Sequence, residues 1–209
     1  MNFFSNATKT ASSAQRDILR GACYFFLALG ILSLGYAGFV FEDSHRYQSL
    51  EMKKFEQAGR LMEPHLFGEG QVIGEIQVPR IGLSAIVVEG DSAASLRHAV
   101  GHVAKSALPG EWGNVALAGH RDTLFRRLRD IRVGDEIRFK TVEHSFDYVV
   151  ESIEVVAPTN IQVLEATGGQ EMTLVTCFPF SYVGPAPKRF IVRARQTDRT
   201  MPRQQLKTE

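Results

Sequence analysis

VIGEIQVPRIGLSAIVVEG, Val72 to Gly90, is where this chain changes character. Apolar and β-branched residues come in two short runs, broken by Pro79, Gly82 and Gly90. Runs of that length bounded by turn residues read as strands rather than helices. The same texture continues downstream in NVALAG (114–119), EIRFK (136–140), SFDYVVESIEVV (145–156), MTLVTCF (172–178) and KRFIVRAR (188–195). Helical signal is thin. DSAASLRHAV (91–100) is one candidate, with Asp91 or Ser92 as its cap, and DTLFRRLRDI (122–131) is another, with Leu124, Phe125 and Leu128 on one side. About eight short strands in about 130 residues predict a mainly β fold, a closed or nearly closed barrel with short helices. A single-domain β-sandwich is the alternative.

Upstream of the strands the chain divides in two. GACYFFLALGILSLGYAGFVF, Gly21 to Phe41, holds no charged residue. As a helix it spans roughly 30 Å, the thickness of a hydrocarbon core. Arg16 and Arg20 precede it, and Glu42 and Asp43 follow. The positive-inside rule therefore puts a tail, residues 1–20, in the cytoplasm and residues 42–209 outside. A cleaved signal peptide would have a shorter apolar region ending at a small-residue site, and Tyr36-Ala37-Gly38 is a poor one. Residues 42–70 read as a stalk of mixed charge, with a weak helical stripe at Met52, Phe55, Gly59 and Met62. The folded domain is expected over 71–196, with a polar C-terminal tail, 197–209, that frays.

Composition excludes several classes of function. A net charge of +1 over 209 residues gives no electrostatic case for nucleic acid. There is no Cys/His cluster with zinc spacing and no phosphate-cradling glycine loop, so neither metal nor cofactor is expected. The two cysteines are separated by topology. Cys23 lies in the apolar span and Cys177 in the exported part, so Cys177 has no disulfide partner within the chain. An unpaired exported thiol is either well buried or kept for chemistry.

The second possibility directs attention to TLVTCFPFSYVGPAPKRFIV (173–192), where Arg189 follows Cys177 by twelve positions. Cys177 ends one strand and Arg189 begins the next; the proline-rich loop between them continues neither. If the strands pair antiparallel, Arg189 returns close to Cys177. Phe190, Val192 and Ala194 then face one way, and Arg189, Ile191, Arg193 and Arg195 the other. Nearby positive charge favours a thiolate, and a guanidinium offers rigid donors to an oxyanion. Such a pair still needs a proton shuttle, so a histidine is expected. Of six histidines, His45 and His65 lie in the stalk and His144 in a polar turn, while His98 and His102 flank the first helix candidate and read as structural. His120, in NVALAGHRDTLF, stands where a buried strand ends, a suitable place for a catalytic side chain or for a turn histidine bonded to backbone. Trp112 reads as a packing residue. The basic run FRRLRDIR reads as a solvated face.

TLVTCFPFSYVGPAPKRFIV resembles the signature of sortases, the membrane-anchored cysteine transpeptidases of bacterial envelopes. ALPGEWGNVALAGHRDTLFRRLRDIRVGDEIRF (107–139) is similar to their histidine region, and IGEIQVPRIGLSAIVVEG (73–90) to their first strands. The YVGPAPKRF wording and the short Cys-to-Arg spacing look most like class D. The resemblance implies the sortase β-barrel and a catalytic set of Cys177, His120 and Arg189. Thr176 would assist at the oxyanion through its backbone or hydroxyl. It implies exported substrates carrying an LPxTG-like sorting motif and an amine acceptor, such as a peptidoglycan precursor or a pilin lysine. Some sortases are stimulated by calcium, but Asp135 and Glu136 in the GD turn do not by themselves build a site. Two rival readings are an exported L,D-transpeptidase, whose Ser-x-Gly-Cys-like context LVTC does not match, and a non-catalytic sortase-like envelope adaptor.

Overall fold

The computed structural model describes residues 17–18, 20–36, 38, 48–50, 67–182 and 184–202, with side chains described as far as 197. It divides into two units, Met1–Arg46 and Tyr47–Glu209. In the first, residues 20–36 are helical, and Tyr24, Phe25, Leu29, Leu32 and Tyr36 are all exposed. Among the described residues no helix is long and apolar enough to cross a membrane. Residues 37 and 39–41 of the expected span lie outside the described residues, as does the stripe at Met52, Phe55, Gly59 and Met62.

The second unit is a closed barrel of eight strands: β1 (Val72–Val78), β2 (Leu83–Glu89), β3 (Val100–His102), β4 (Gly113–Ala118), β5 (Glu136–Lys140), β6 (His144–Val156), β7 (Gln170–Phe178) and β8 (Lys188–Pro202). Their order around the barrel is β1-β2-β3-β4-β7-β8-β6-β5. Closure leaves no long free edge and sets aside the sandwich alternative. Six of the eight ladders are antiparallel; β2–β3 and β4–β7 are parallel.

The core follows from alternation along these strands. Ile76 and Val78, Val115 and Leu117, Met172 and Leu174, and Val192 and Ala194 all point inward and meet Phe125, Leu128, Phe139 and Tyr148. Phe125 and Leu128 come from the second helix candidate, which forms a 3-10 helix, Leu124–Asp130, rather than an α-helix. The first candidate is helical over Ala93–His98. Ser92 is its cap, accepting a bond from the Ser95 amide.

The ends of the domain fall outside the expected 71–196. Phe67 packs on the core, and Gly70 already donates to the Glu89 carbonyl. The helical residue Gln48, in the expected stalk, accepts from the Ile86 amide and donates to the His98 carbonyl. At the other end β8 runs on to Pro202 and pairs with β6 as far as His144↔Pro202, so residues 197–202 are strand rather than tail. Trp112 is not a packing residue, being 77% exposed. His102 is structural. It is buried, with Nδ1 2.7 Å from a Glu89 carboxylate oxygen and Nε2 3.0 Å from the Ala107 carbonyl.

Candidate active site

The ladder between β7 and β8 sets Cys177 directly opposite Arg189. Met172 and Leu174 point into the core, so Thr173, Val175 and Cys177 share the outer face of β7. Val192 and Ala194 likewise leave Arg189, Ile191 and Arg193 outside on β8. Directly opposed residues on one face bring their Cβ atoms to about 4.5–5.5 Å, so the two side chains leave adjacent points of that face. The facing expected from the sequence is the facing found. Ile191 is nonetheless buried on that outer face.

His120 reaches the same place through the parallel ladder on the other side of β7. That ladder pairs Ala116↔Thr173 and Ala118↔Val175, an offset of 57 positions. The pairing persists past the end of β4. Gly119 donates its amide to the Val175 carbonyl at 3.1 Å. The Thr176 hydroxyl donates to the Gly119 carbonyl at 2.7 Å, at the same offset. Gly119 is the last residue bonded in this register, and His120 follows it at the turn into the 3-10 helix. Cys177 and Arg189 thus stand opposite each other, and the residue before His120 is bonded to the strand that carries the thiol.

Each of the three candidate residues is accessible. His120 is exposed, and Cys177 and Arg189 are half-buried. The His120 backbone carbonyl, rather than its ring, accepts the bonds from Thr123 and Phe125 that start the 3-10 helix. Arg189 donates through Nη1 to the Ala186 and Lys188 carbonyls at 3.4 and 3.2 Å. Both are neutral acceptors, which leaves its charge available to an incoming carbonyl or oxyanion.

Thr176 sits on the inner face of β7 and is 2% exposed. Its hydroxyl is committed to Gly119, so it does not face the groove, and only its backbone remains for an oxyanion contact. The hydroxyl instead ties β7 to the residue before His120.

Three further features build the surroundings. Phe178, Phe180 and Phe190 contact one another at centroid distances of 5.1–6.1 Å, Phe178 stacked on Phe190 and Phe180 edge-on to both, and Phe180 and Phe190 pack against the core. The 3-10 helix Ile161–Leu164 is pinned over the outer face. Asn114 Nδ2 donates to the Leu164 carbonyl and Arg193 to the Val163 carbonyl. Asn114 is held in turn by the Thr173 hydroxyl at 2.9 Å.

The third feature is Arg121, which sequence reasoning passed over as part of a charged loop. Its guanidinium is buried and donates to the carbonyls of Pro179, Tyr182 and Gly184 in the β7–β8 loop. The signal for it was the GHR triplet, an arginine set directly against the candidate histidine.

Among the described residues no group of three or more His, Cys, Asp or Glu side chains could hold a metal ion. Asp135, in the GD turn, is bonded to Arg80 and to the Arg132 amide.

Comparison with known proteins agrees with this arrangement. Residues 76–197 match the sortase domain family model. Sortase D of Bacillus subtilis is 30% identical over 189 residues, covering 82% of this chain and 96% of that protein. A Clostridium perfringens Sortase D5 transpeptidase structure superposes with a TM-score of 0.64 at 28% identity, over 74% of this chain and 98% of that one. Sortase E1 from Streptomyces coelicolor, solved with a tripeptide in its active site, gives 0.60 at 31% identity, over 65% and 93%. A family model that spans more than half of the chain, together with a relative matched over nearly its whole length, places this protein in the sortase family of cysteine transpeptidases, with its likeness running to class D.

Proposed function

We propose that this sortase cleaves an LPxTG-like sorting motif through a thioester on Cys177 and passes the acyl group to an amine, attaching exported proteins to the cell envelope. The observation that supports the proposal is the pairing of Cys177 with Arg189 on adjacent strands, with Gly119, the residue before His120, bonded to the strand that carries the thiol. The Cys177 thiolate attacks the threonine carbonyl of the motif. The carbonyl π electrons move to oxygen, and the Arg189 guanidinium stabilises the resulting oxyanion. As the tetrahedral intermediate collapses, the Thr–Gly C–N bond breaks, and the His120 imidazolium gives its proton to the departing glycine amine. The thioester stores the acyl group. An incoming amine, from a peptidoglycan precursor or a pilin lysine, then attacks it. Neutral His120 takes the amine proton, a new amide forms, and Cys177 leaves as thiolate.

The membrane belongs to this proposal. The uncharged run 21–41, flanked by Arg16 and Arg20 before it and Glu42 and Asp43 after it, supports a single-pass anchor with the N-terminus cytoplasmic and the barrel outside. Tethering there raises the effective concentration of the enzyme toward substrates emerging at the same surface. The stalk shows no lid signature in its sequence, which favours anchoring over pilin polymerisation.

The test is mass spectrometry of the detergent-solubilised chain with a panel of LPxTG-like peptides and triglycine or diaminopimelate. A thioester at Cys177 and a new amide product, both absent from Cys177→Ala, are expected. A Cys177 that alkylates readily yet forms no adduct across a broad panel would overturn the substrate assignment.

A further inference from the structure

Arg121 is a charged side chain left 5% exposed, in a position where burial is costly unless every donor is used. Its partners are not carboxylates in the interior. Nη1 donates to the Pro179 carbonyl at 2.9 Å, and Nη2 to the carbonyls of Tyr182 and, at 3.2 Å, Gly184. The guanidinium carbon also lies 5.9 Å from the centre of the Tyr182 ring. Its neighbour Asp122 is 3.4 Å away and exposed. So one side chain gathers three carbonyls of one loop and covers them with a cation–π contact.

That loop joins the strands that carry two of the three candidate catalytic groups. Cys177 stands two residues before Pro179, and Arg189 two residues after Pro187. Pro179, Pro185 and Pro187 have no amide hydrogen, so the loop is poor in donors of its own: its Tyr182 amide reaches the Pro179 carbonyl at 3.3 Å, while the Tyr182 and Gly184 carbonyls are met by an external source. Arg121 is that source, and it is the residue directly after His120. On the other side of His120, Gly119 is tied to β7 by the Thr176 hydroxyl and by its own amide. His120 is therefore bracketed by two cross-links to the segment that carries the thiol.

We infer that Arg121 is a positioning residue for the transfer reaction: by latching the β7–β8 loop to the His120 segment, it sets the imidazole against the Cys177 thiol. This rests on the roles proposed above for His120 and Cys177. Arginine is required for geometric reasons. A planar fork with five N–H donors reaches three acceptors at once, whereas a lysine ammonium on a flexible stem does not hold them in one plane.

The test is a double-mutant cycle on the full chain in detergent micelles, read by the rate at which iodoacetamide alkylates Cys177. His120→Ala is made in the native background and in Arg121→Met, with Arg121→Lys as a second background in case the first fails to fold. If Arg121 aligns the pair, His120→Ala changes the alkylation rate several-fold in the native background and less than twofold in either Arg121 variant. In the peptide assay both variants lose at least tenfold in kcat, with KM within threefold of the native value. The same fold-change from His120→Ala in all backgrounds overturns the inference. So does a His120→Ala effect that is absent from the native background, because no alignment would then exist to be set. The alkylation arm uses no sorting peptide. A native chain inactive on the whole panel therefore counts against the LPxTG reading, while the latch is still judged by the cycle.

Discussion

Replacing Thr176 by valine removes one hydroxyl and almost no volume. In the structure that hydroxyl is 2.7 Å from the Gly119 carbonyl, both residues are buried, and Gly119 precedes His120. Valine fills the same space with a methyl group, so there is no cavity term, only an acceptor deprived of its donor away from water. Such an orphaned group costs about 1–3 kcal/mol. The lower half of that range is expected here, because Gly119 lies at the end of a strand, near the rim. For a domain of this size each kcal/mol moves Tm by about 2–4 °C, so a fall of about 2–8 °C is expected in a thermal melt. The effect on activity exceeds the effect on stability. Freed from Thr176, the turn that presents His120 can shift, and displacement of a catalytic group by about 1 Å costs up to about 100-fold in rate. We expect kcat to fall about 10- to 100-fold at a temperature where the variant is fully folded. Thr176→Ser, which keeps the hydroxyl and loses the methyl, should retain most of kcat while losing about 1 kcal/mol of stability. A valine variant with native kcat, or a serine variant as slow as the valine one, would refute the claim that this bond places His120.

Other perturbations test neighbouring links. Arg189→Ala should lower kcat for peptide cleavage about 100- to 1,000-fold, the loss typical of one removed oxyanion donor, with Tm nearly unchanged. Arg189→Lys should recover only part of it, because an ammonium lacks the planar fork. Gly119→Ala would set a methyl 2.7 Å from the ring of buried Phe125, so Tm and kcat should fall together, by about 1–3 kcal/mol of stability in a denaturant titration. The bond from Arg80, aided by the Arg132 amide and against the opposing effect of burial, holds the Asp135 carboxyl below its ordinary value of 3.8. The sign follows from that depression. The stabilisation is present above the ordinary value and is lost as pH falls through the depressed one. The Tm difference between native protein and Asp135→Asn should therefore be constant near neutrality and close below about pH 4. A gap that does not narrow at all as the solution is acidified below about pH 4 would argue against an ionised Asp135 as its source.

The parts legible in the sequence were those with a local pattern. Short apolar and β-branched runs bounded by turn residues marked seven of the strands, and alternation gave the facing of Arg189 and Ile191 against Val192 and Ala194, because both signals need only neighbours along the chain. β3 was not legible. Val100–His102 is three residues long, follows a helix directly and is held as a strand by pairing with Val87–Glu89 and with Gly101↔Ala118, contacts made across the barrel wall. The same limit hid Arg121. Its partners lie 58 to 63 positions away, and nothing near it in the chain distinguishes a buried strap from a solvated arginine. Trp112 failed in the opposite sense. Its size suggested burial, but a tryptophan in the PGEWGN loop has no strand to turn it inward. The Cys177–Arg189 pairing was legible because an antiparallel return through a proline-rich loop brings strand ends together. The position of His120 was not derivable that way, because it depends on a parallel ladder whose register no turn sets.

That parallel ladder explains why the site lies at this rim. In a parallel pair both strands finish at the same end, so the residue after β4 and the last residues of β7 emerge together. β8, antiparallel to β7, begins at that end. The segments that carry His120, Cys177 and Arg189 therefore come to the same end of the barrel although the first and last are far apart in sequence. The arrangement also protects itself. A slip of one residue between β4 and β7 would turn Val115 and Leu117 out of the core, or Met172 and Leu174, at the cost of several buried apolar side chains. The register that fills the barrel is the register that brings Gly119, the residue before His120, to the strand that carries the thiol. Selection for a packed core thus maintains the approach of the two segments, and what remains for Thr176 and Arg121 is the finer task of fixing the residue beyond the ladder.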